Sequence, residues 1–178
     1  MSARFRMATR CLVGLVLLIA AIGLTMTLSP RPVSGSGSDD KVIAKGGGTT
    51  IIHGGTGAPG FVPVLTTVAF HAEKSGGHVT GSFDCLALAP ESTTGSKSGQ
   101  FTVNAMYVAG HITGATVNGD AATLTGTADI TGLGAGSNVS FTFEVRNGGP
   151  GATAVLTAGG LTFNELLVEG SFQVRSED

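Results

Sequence analysis

Beyond residue 45 the chain alternates apolar and polar side chains with a period of two, the spacing of a strand that buries one face. From Val64 to Ala87 two such segments flank Lys74-Ser75-Gly76-Gly77. Pairing Glu73 with His78 across that turn sets Phe70 opposite Gly81, Val68 opposite Phe83 and Thr66 opposite Cys85. The other face then carries His71, Glu73, His78, Thr80, Ser82 and Asp84. A single register separates apolar from polar on both strands, as a half-buried antiparallel hairpin requires.

The same pattern continues. Phe101, Val103, Ala105 and Tyr107 alternate with Thr102, Asn104 and Met106, and Val139, Phe141, Phe143 and Val145 alternate with Ser140, Thr142, Glu144 and Arg146. Val117-Asn118-Gly119-Asp120-Ala121 predicts a tight turn between strands over Ile112–Val117 and Ala122–Ile130. Gly148-Gly149-Pro150-Gly151 predicts a loop, followed by strands over Ala154–Thr157 and Leu166–Val174. A short helix over Leu161–Val168 is an alternative, since Leu161, Glu165 and Val168 have helical spacing. The expected domain is all-β, with about eight to ten short antiparallel strands. A barrel and a sandwich both cover its apolar face, and the consecutive hairpins favour an up-and-down barrel over a Greek-key sandwich.

The first 35 residues read differently. Arg4, Arg6 and Arg10 precede an apolar run from Cys11 to Leu24 that continues less purely through Leu28. This is the form of a secretory signal, and at roughly 18 residues the run also reaches the lower limit for a membrane-anchoring helix. Ser29-Pro30-Arg31-Pro32 breaks the helix, and Val33-Ser34-Gly35 is the best candidate for cleavage. The expected organisation is therefore a signal peptide or N-terminal anchor over 1–35, a Ser/Gly-rich linker over 36–44 and a β-domain over 45–175. Either form of the N-terminus places the domain outside the cytoplasm, secreted or anchored by the N-terminal helix.

Composition narrows the function. With 42% hydrophobic and 12% charged residues, the chain lacks the composition of a disordered protein. Four of the ten basic residues precede residue 36 and all twelve acidic residues follow it, so the exported part carries a formal −6. Such a surface offers no footprint for nucleic acid, and membrane contact is expected only through the N-terminal segment. Cys85 is the one cysteine left after Cys11 of the signal, so no internal disulfide can form and a buried thiol is expected.

The histidines are the only residues with metal potential. His71 and Glu73 share a strand face, and His78 lies across the predicted turn, which would offer three N/O ligands to a divalent ion. That face is also the one turned to water, where these residue types are expected without a metal, so no metal or cofactor is assigned. Gly77-His78-Val79-Thr80-Gly81 recurs as Gly110-His111-Ile112-Thr113-Gly114, and parity places His111 inward unless Gly110 or Gly114 marks a bulge. No nucleophile elbow or phosphate loop is present, and Ser38-Asp39-Asp40-Lys41 matches a bare Ser-x-x-Lys spacing only in the linker. No catalytic residue is nominated. With no Trp and only Tyr107, a sugar-stacking platform would have to come from Phe residues that the pattern puts in the core.

Several stretches together resemble a known family. They are Gly46-Gly47-Gly48, Val68-Ala69-Phe70-His71-Ala72, Gly77-His78-Val79-Thr80-Gly81, the run Val117–Ala128, the run Phe141–Gly151 and Gly170-Ser171-Phe172-Gln173-Val174. In this order the segment 45–175 resembles the exported bacterial post-COAP modules associated with choice-of-anchor proteins. Cys85 stands where an aromatic is common in that family, and Arg146 and Gly149 where acidic residues are usual. The resemblance implies an exported β-module without established catalysis. The functional expectation is a non-enzymatic structural or interaction module, its partner adding along a sheet edge, with Thr49–His53 as the likeliest edge strand. The alternative is a small lipocalin-like barrel holding an apolar ligand.

Overall fold

The computed structural model describes residues 41–57, 64–91 and 99–175. The expected signal or anchor helix over 1–35, and the linker up to residue 40, lie outside the described residues. Eight strands follow in order: β1 (Lys41–Gly54), β2 (Val64–Ser75), β3 (His78–Pro90), β4 (Phe101–Asn118), β5 (Ala121–Gly132), β6 (Gly136–Arg146), β7 (Thr153–Ala158) and β8 (Leu161–Val174). Each pairs antiparallel with its neighbour in sequence, and β8 returns to β1 to close an up-and-down barrel. Of the two all-β architectures that the alternation permits, this is the barrel.

Closure changes the standing of Thr49–His53. These residues lie in β1, which pairs with β2 on one side and β8 on the other, so this strand has no free edge. The reason is geometric: a sheet that curls fully onto itself satisfies both of its outer strands. The first strand also starts at Lys41, within the stretch read as linker.

Local chemistry set several boundaries that the alternation missed. The β2–β3 hairpin turns on Gly76 and Gly77, at φ 55° and 84°, with Ser75 paired to His78. The expected pairing of Glu73 with His78 is therefore displaced by two residues, and Phe70 faces Phe83 while Val68 faces Cys85. A two-residue turn with two left-handed positions matches the twist of the flanking strands, and glycine reaches it without strain. A slip of two preserves the faces, so Phe70, Phe83 and Cys85 are buried and Asp84 is exposed as the alternation requires. Gly159-Gly160, at φ 59° and 77°, makes an equivalent turn that launches β8, and the alternative helix over Leu161–Val168 is strand.

The segments expected as separate strands over Phe101–Tyr107 and Ile112–Val117 form one strand of 18 residues. Gly110 continues it and leaves space for a neighbour: a Cβ there would stand 2.9 Å from Cε1 of Phe141. A register shift between Ile112 and Gly114 against β5 is the bulge that reverses parity. Ahead of it Met106, Val108 and Ile112 share one parity and point inward, so Val103, Tyr107 and His111 point outward, and beyond it Ala115 and Val117 pack against the core instead.

The bore is filled by side chains from all eight strands. Phe70 contacts Phe143 and Phe172 at ring-centroid distances of 5.2 and 5.5 Å, and Phe83 contacts Phe141 and Phe143 at 5.1 and 4.8 Å. These spacings are those of favourable tilted and offset aromatic pairs. Phe141 also covers Gly126, whose missing Cβ would stand 2.0 Å from the His111 carbonyl oxygen and 2.9 Å from the Phe141 ring. Aromatic rings packed over strand glycines let the sheet curve without leaving voids.

Candidate functional site

Within this apolar bore the buried polar side chains among the described residues are Thr50, Thr66 and Glu165, and all three meet. Their position follows from the pleat. Glu165 lies on β8 between buried Phe163 and Leu167, Thr50 on β1 beside Ile52, and Thr66 on β2 between Val64 and Val68. Thr50 pairs with Thr66 across β1 and β2, and with Leu167 across β1 and β8, which leaves Glu165 diagonal to Thr50 on the inner face.

The hydroxyls of Thr50 and Thr66 bond to each other, and both reach Oε2 of Glu165, Thr66 at 3.0 Å. Oε1 is buried without a hydrogen-bond partner. Three contacts join these groups, yet two hydroxyls carry only two protons between them. A carboxylic acid supplies the third proton, whereas a carboxylate leaves one contact without a hydrogen. Burial acts in the same sense: it pushes the Glu165 carboxyl above its ordinary range, against the lowering effect of the two threonine hydrogen bonds. A neutral acid also leaves Oε1 as a carbonyl oxygen, far cheaper to bury unpaired than an ionised one.

Cys85 is buried in the same bore. Its thiol is pushed well above the usual value, by burial first and then by the neighbouring acidic groups, of which Asp84 is the exposed one. A protonated thiol in a closed apolar space is a poor nucleophile and fits the expected small buried hydrophobe.

The outer face carries the residues singled out as ligand candidates. His71 Nε2 lies 3.2 Å from Glu73 Oε1, with both side chains substantially exposed. His78 sits at the glycine turn opposite Ser75, and the two-residue displacement takes it from the position across from Glu73 that a three-ligand set requires. His111 and His53 are likewise exposed, and no group of three His, Cys, Asp or Glu side chains suited to a metal occurs among the described residues. Asp84 accepts a hydrogen bond from the Tyr107 hydroxyl at 2.9 Å, which pushes that phenol above its ordinary value. Arg146 pairs with Asp120 at 3.2 Å on the surface.

Two of the concavities among the described residues border these groups. One of about 350 Å³ lies outside the barrel over Gly46 and Gly47, bordered by Lys45, His71, Ser171 and Gln173. The other, about 370 Å³, opens near the Gly76-Gly77 turn and is lined by Ile43, Val79, Ala115 and Val117 with Lys74. Sequence reasoning missed Glu165, Thr50 and Thr66. The available signal was the alternation of Phe163, Glu165 and Leu167, which places a carboxylate on an apolar face. Comparison with protein families, curated proteins and solved structures finds no match to this chain.

Proposed function

We propose that this chain is an exported, non-catalytic β-module with a structural or interaction role at the cell surface or outside the cell. The observation that carries the reading is the filled bore. A barrel of about eight strands has room for packed side chains or for one small ligand. Here the mutually contacting rings of Phe70, Phe83, Phe141, Phe143 and Phe172 take that space. The arrangement of apolar residues inside and Thr, Ser, Asp and Glu outside on β5 and β6 is the reverse of a lipid-facing barrel. This supports a domain standing in water, with the membrane met only through the N-terminal segment. Export rests on Arg4, Arg6 and Arg10 ahead of the apolar run, and the resemblance to post-COAP modules points the same way. With β1 paired on both sides, a partner would meet the outer face or the loops.

The concavity lined by Ile43, Val79, Ala115 and Val117 favours a second reading, a lipocalin-like barrel that takes a small apolar ligand at its mouth. Native mass spectrometry of the full chain, purified from the cells that make it, separates the two. The structural reading expects a bare polypeptide. Extra mass that leaves on denaturation overturns it in favour of the ligand barrel.

A further inference from the structure

The polar cluster in the bore places an alcohol against a carboxyl group in a space closed to water. We propose that Thr50 and Glu165 become joined by an ester bond, a covalent staple across the β1–β8 seam at which the barrel closes. The two residues are 115 positions apart in the chain and diagonal neighbours on the inner face. Thr50 is the nucleophile because its strand pairs directly with β8, whereas Thr66 stands one strand further away.

The step balances without any further reactant. The Thr50 Oγ1 forms a bond to Glu165 Cδ, the Cδ–Oε2 bond breaks, and Oε2 leaves as water with the carboxyl proton and the Thr50 hydroxyl proton. Thr66 bridges the attacking oxygen and the departing one, since its hydroxyl contacts both Thr50 Oγ1 and Glu165 Oε2. It therefore holds a relay position for the proton and is a positioning residue. The three-proton requirement of the cluster keeps Glu165 as the neutral acid, the form that an alcohol can attack.

Two physical factors support the step. Well-oriented intramolecular reactions reach effective molarities of about 10⁵–10⁸ M, so holding the hydroxyl against the carboxyl lowers the barrier to attack. The apolar surroundings, Phe163, Leu167, Ile52 and Val64 among them, keep water out and protect the ester from hydrolysis. The outcome also answers a need visible in the cysteine pattern. Cys85 is the only thiol after residue 35, so the domain has no disulfide with which to secure its closure.

The test is mass spectrometry of the folded full chain, intact and after proteolysis. The expected result is a polypeptide lighter by one water under denaturing conditions, and a branched peptide containing Thr50 and Glu165. Hydroxylamine, under conditions milder than those that cut the Asn118-Gly119 and Asn147-Gly148 bonds, should separate that peptide into its two arms. Thr50→Val keeps the shape of the side chain, removes the hydroxyl and should restore the full mass. Thr66→Val should leave the staple possible and slow its appearance. A wild-type chain that retains its full mass after prolonged folded incubation at mildly acidic pH overturns the proposal, as does water loss that persists in Thr50→Val. A bound small ligand adds mass to the native species only and the staple removes one water from the denatured chain, so this result is separable from the test of the proposed function.

Discussion

The aromatic belt and the Thr50–Thr66–Glu165 cluster occupy one bore and are stabilised by opposite means. Phe70, Phe83, Phe141, Phe143 and Phe172 need only neighbours of the right shape, and each ring finds one or more aromatic partners. Their contribution is area removed from water, and it does not depend on protons. The polar cluster needs every lone pair and every hydrogen matched, and Oε1 of Glu165 has no partner. Apolar packing tolerates approximation, whereas a buried carboxyl must be neutral, bonded or chemically transformed.

The largest expected effect falls on the belt. Phe143 is fully buried and touches two other rings, so Phe143→Ala should lower the unfolding free energy by about 3–5 kcal/mol in urea titrations. A loss below about 1 kcal/mol would mean that the belt is not the stabilising centre. Adding volume is the complementary test. Gly126→Ala pushes a methyl toward the His111 carbonyl and the Phe141 ring, and should cost roughly 1–3 kcal/mol in the same assay.

The cluster should respond to pH where the belt does not. In Thr50→Val the acid remains free whether or not the wild-type chain forms a staple. Burial raises the Glu165 pKa in the folded state above its unfolded value, so the folded chain binds the proton more tightly. The stability it contributes is fully present below the ordinary carboxylate pKa and is lost as pH rises through the raised folded value. Urea midpoints of Thr50→Val should fall over that window, and a second change, Glu165→Met, should flatten the profile. An unchanged profile in the double variant would place the titrating group elsewhere.

Outside the barrel the same pairing of carboxylate and hydroxyl is wet and mild. Tyr107 is the only tyrosine and the chain has no Trp, so phenolate absorbance reports it alone. Asp84→Asn should bring its pKa down toward the ordinary phenol value, because the Asp84 hydrogen bond is the principal cause of the rise. The smallest effect belongs to the exposed His71–Glu73 pair, where His71→Ala should change stability by less than about 1 kcal/mol.

The legible part of this molecule was the part governed by nearest neighbours. Alternation placed Phe70, Phe83, Phe141 and Phe143 on buried faces, and Asn118-Gly119-Asp120-Ala121 is the tight turn that its residues announce, with Gly119 at φ 61°. The β2–β3 register came out two residues away because a four-residue and a two-residue turn give the same face pattern. His111 depended on a bulge beyond Ile112, which leaves no trace in composition. Glu165 was hidden because the expected strand began at Leu166 and the residues before it were open to a helix, so its parity with Phe163 and Leu167, which puts it inside, did not come into play.

By itself, then, the sequence determined an all-β chain of hairpins with an aromatic interior, because period two and turn residues act over a few bonds. Only the tertiary structure decided that β8 closes on β1 and that Thr50, Thr66 and Glu165 meet. Closure depends on the tilt and stagger accumulated over all eight strands, and no local stretch of sequence carries that sum.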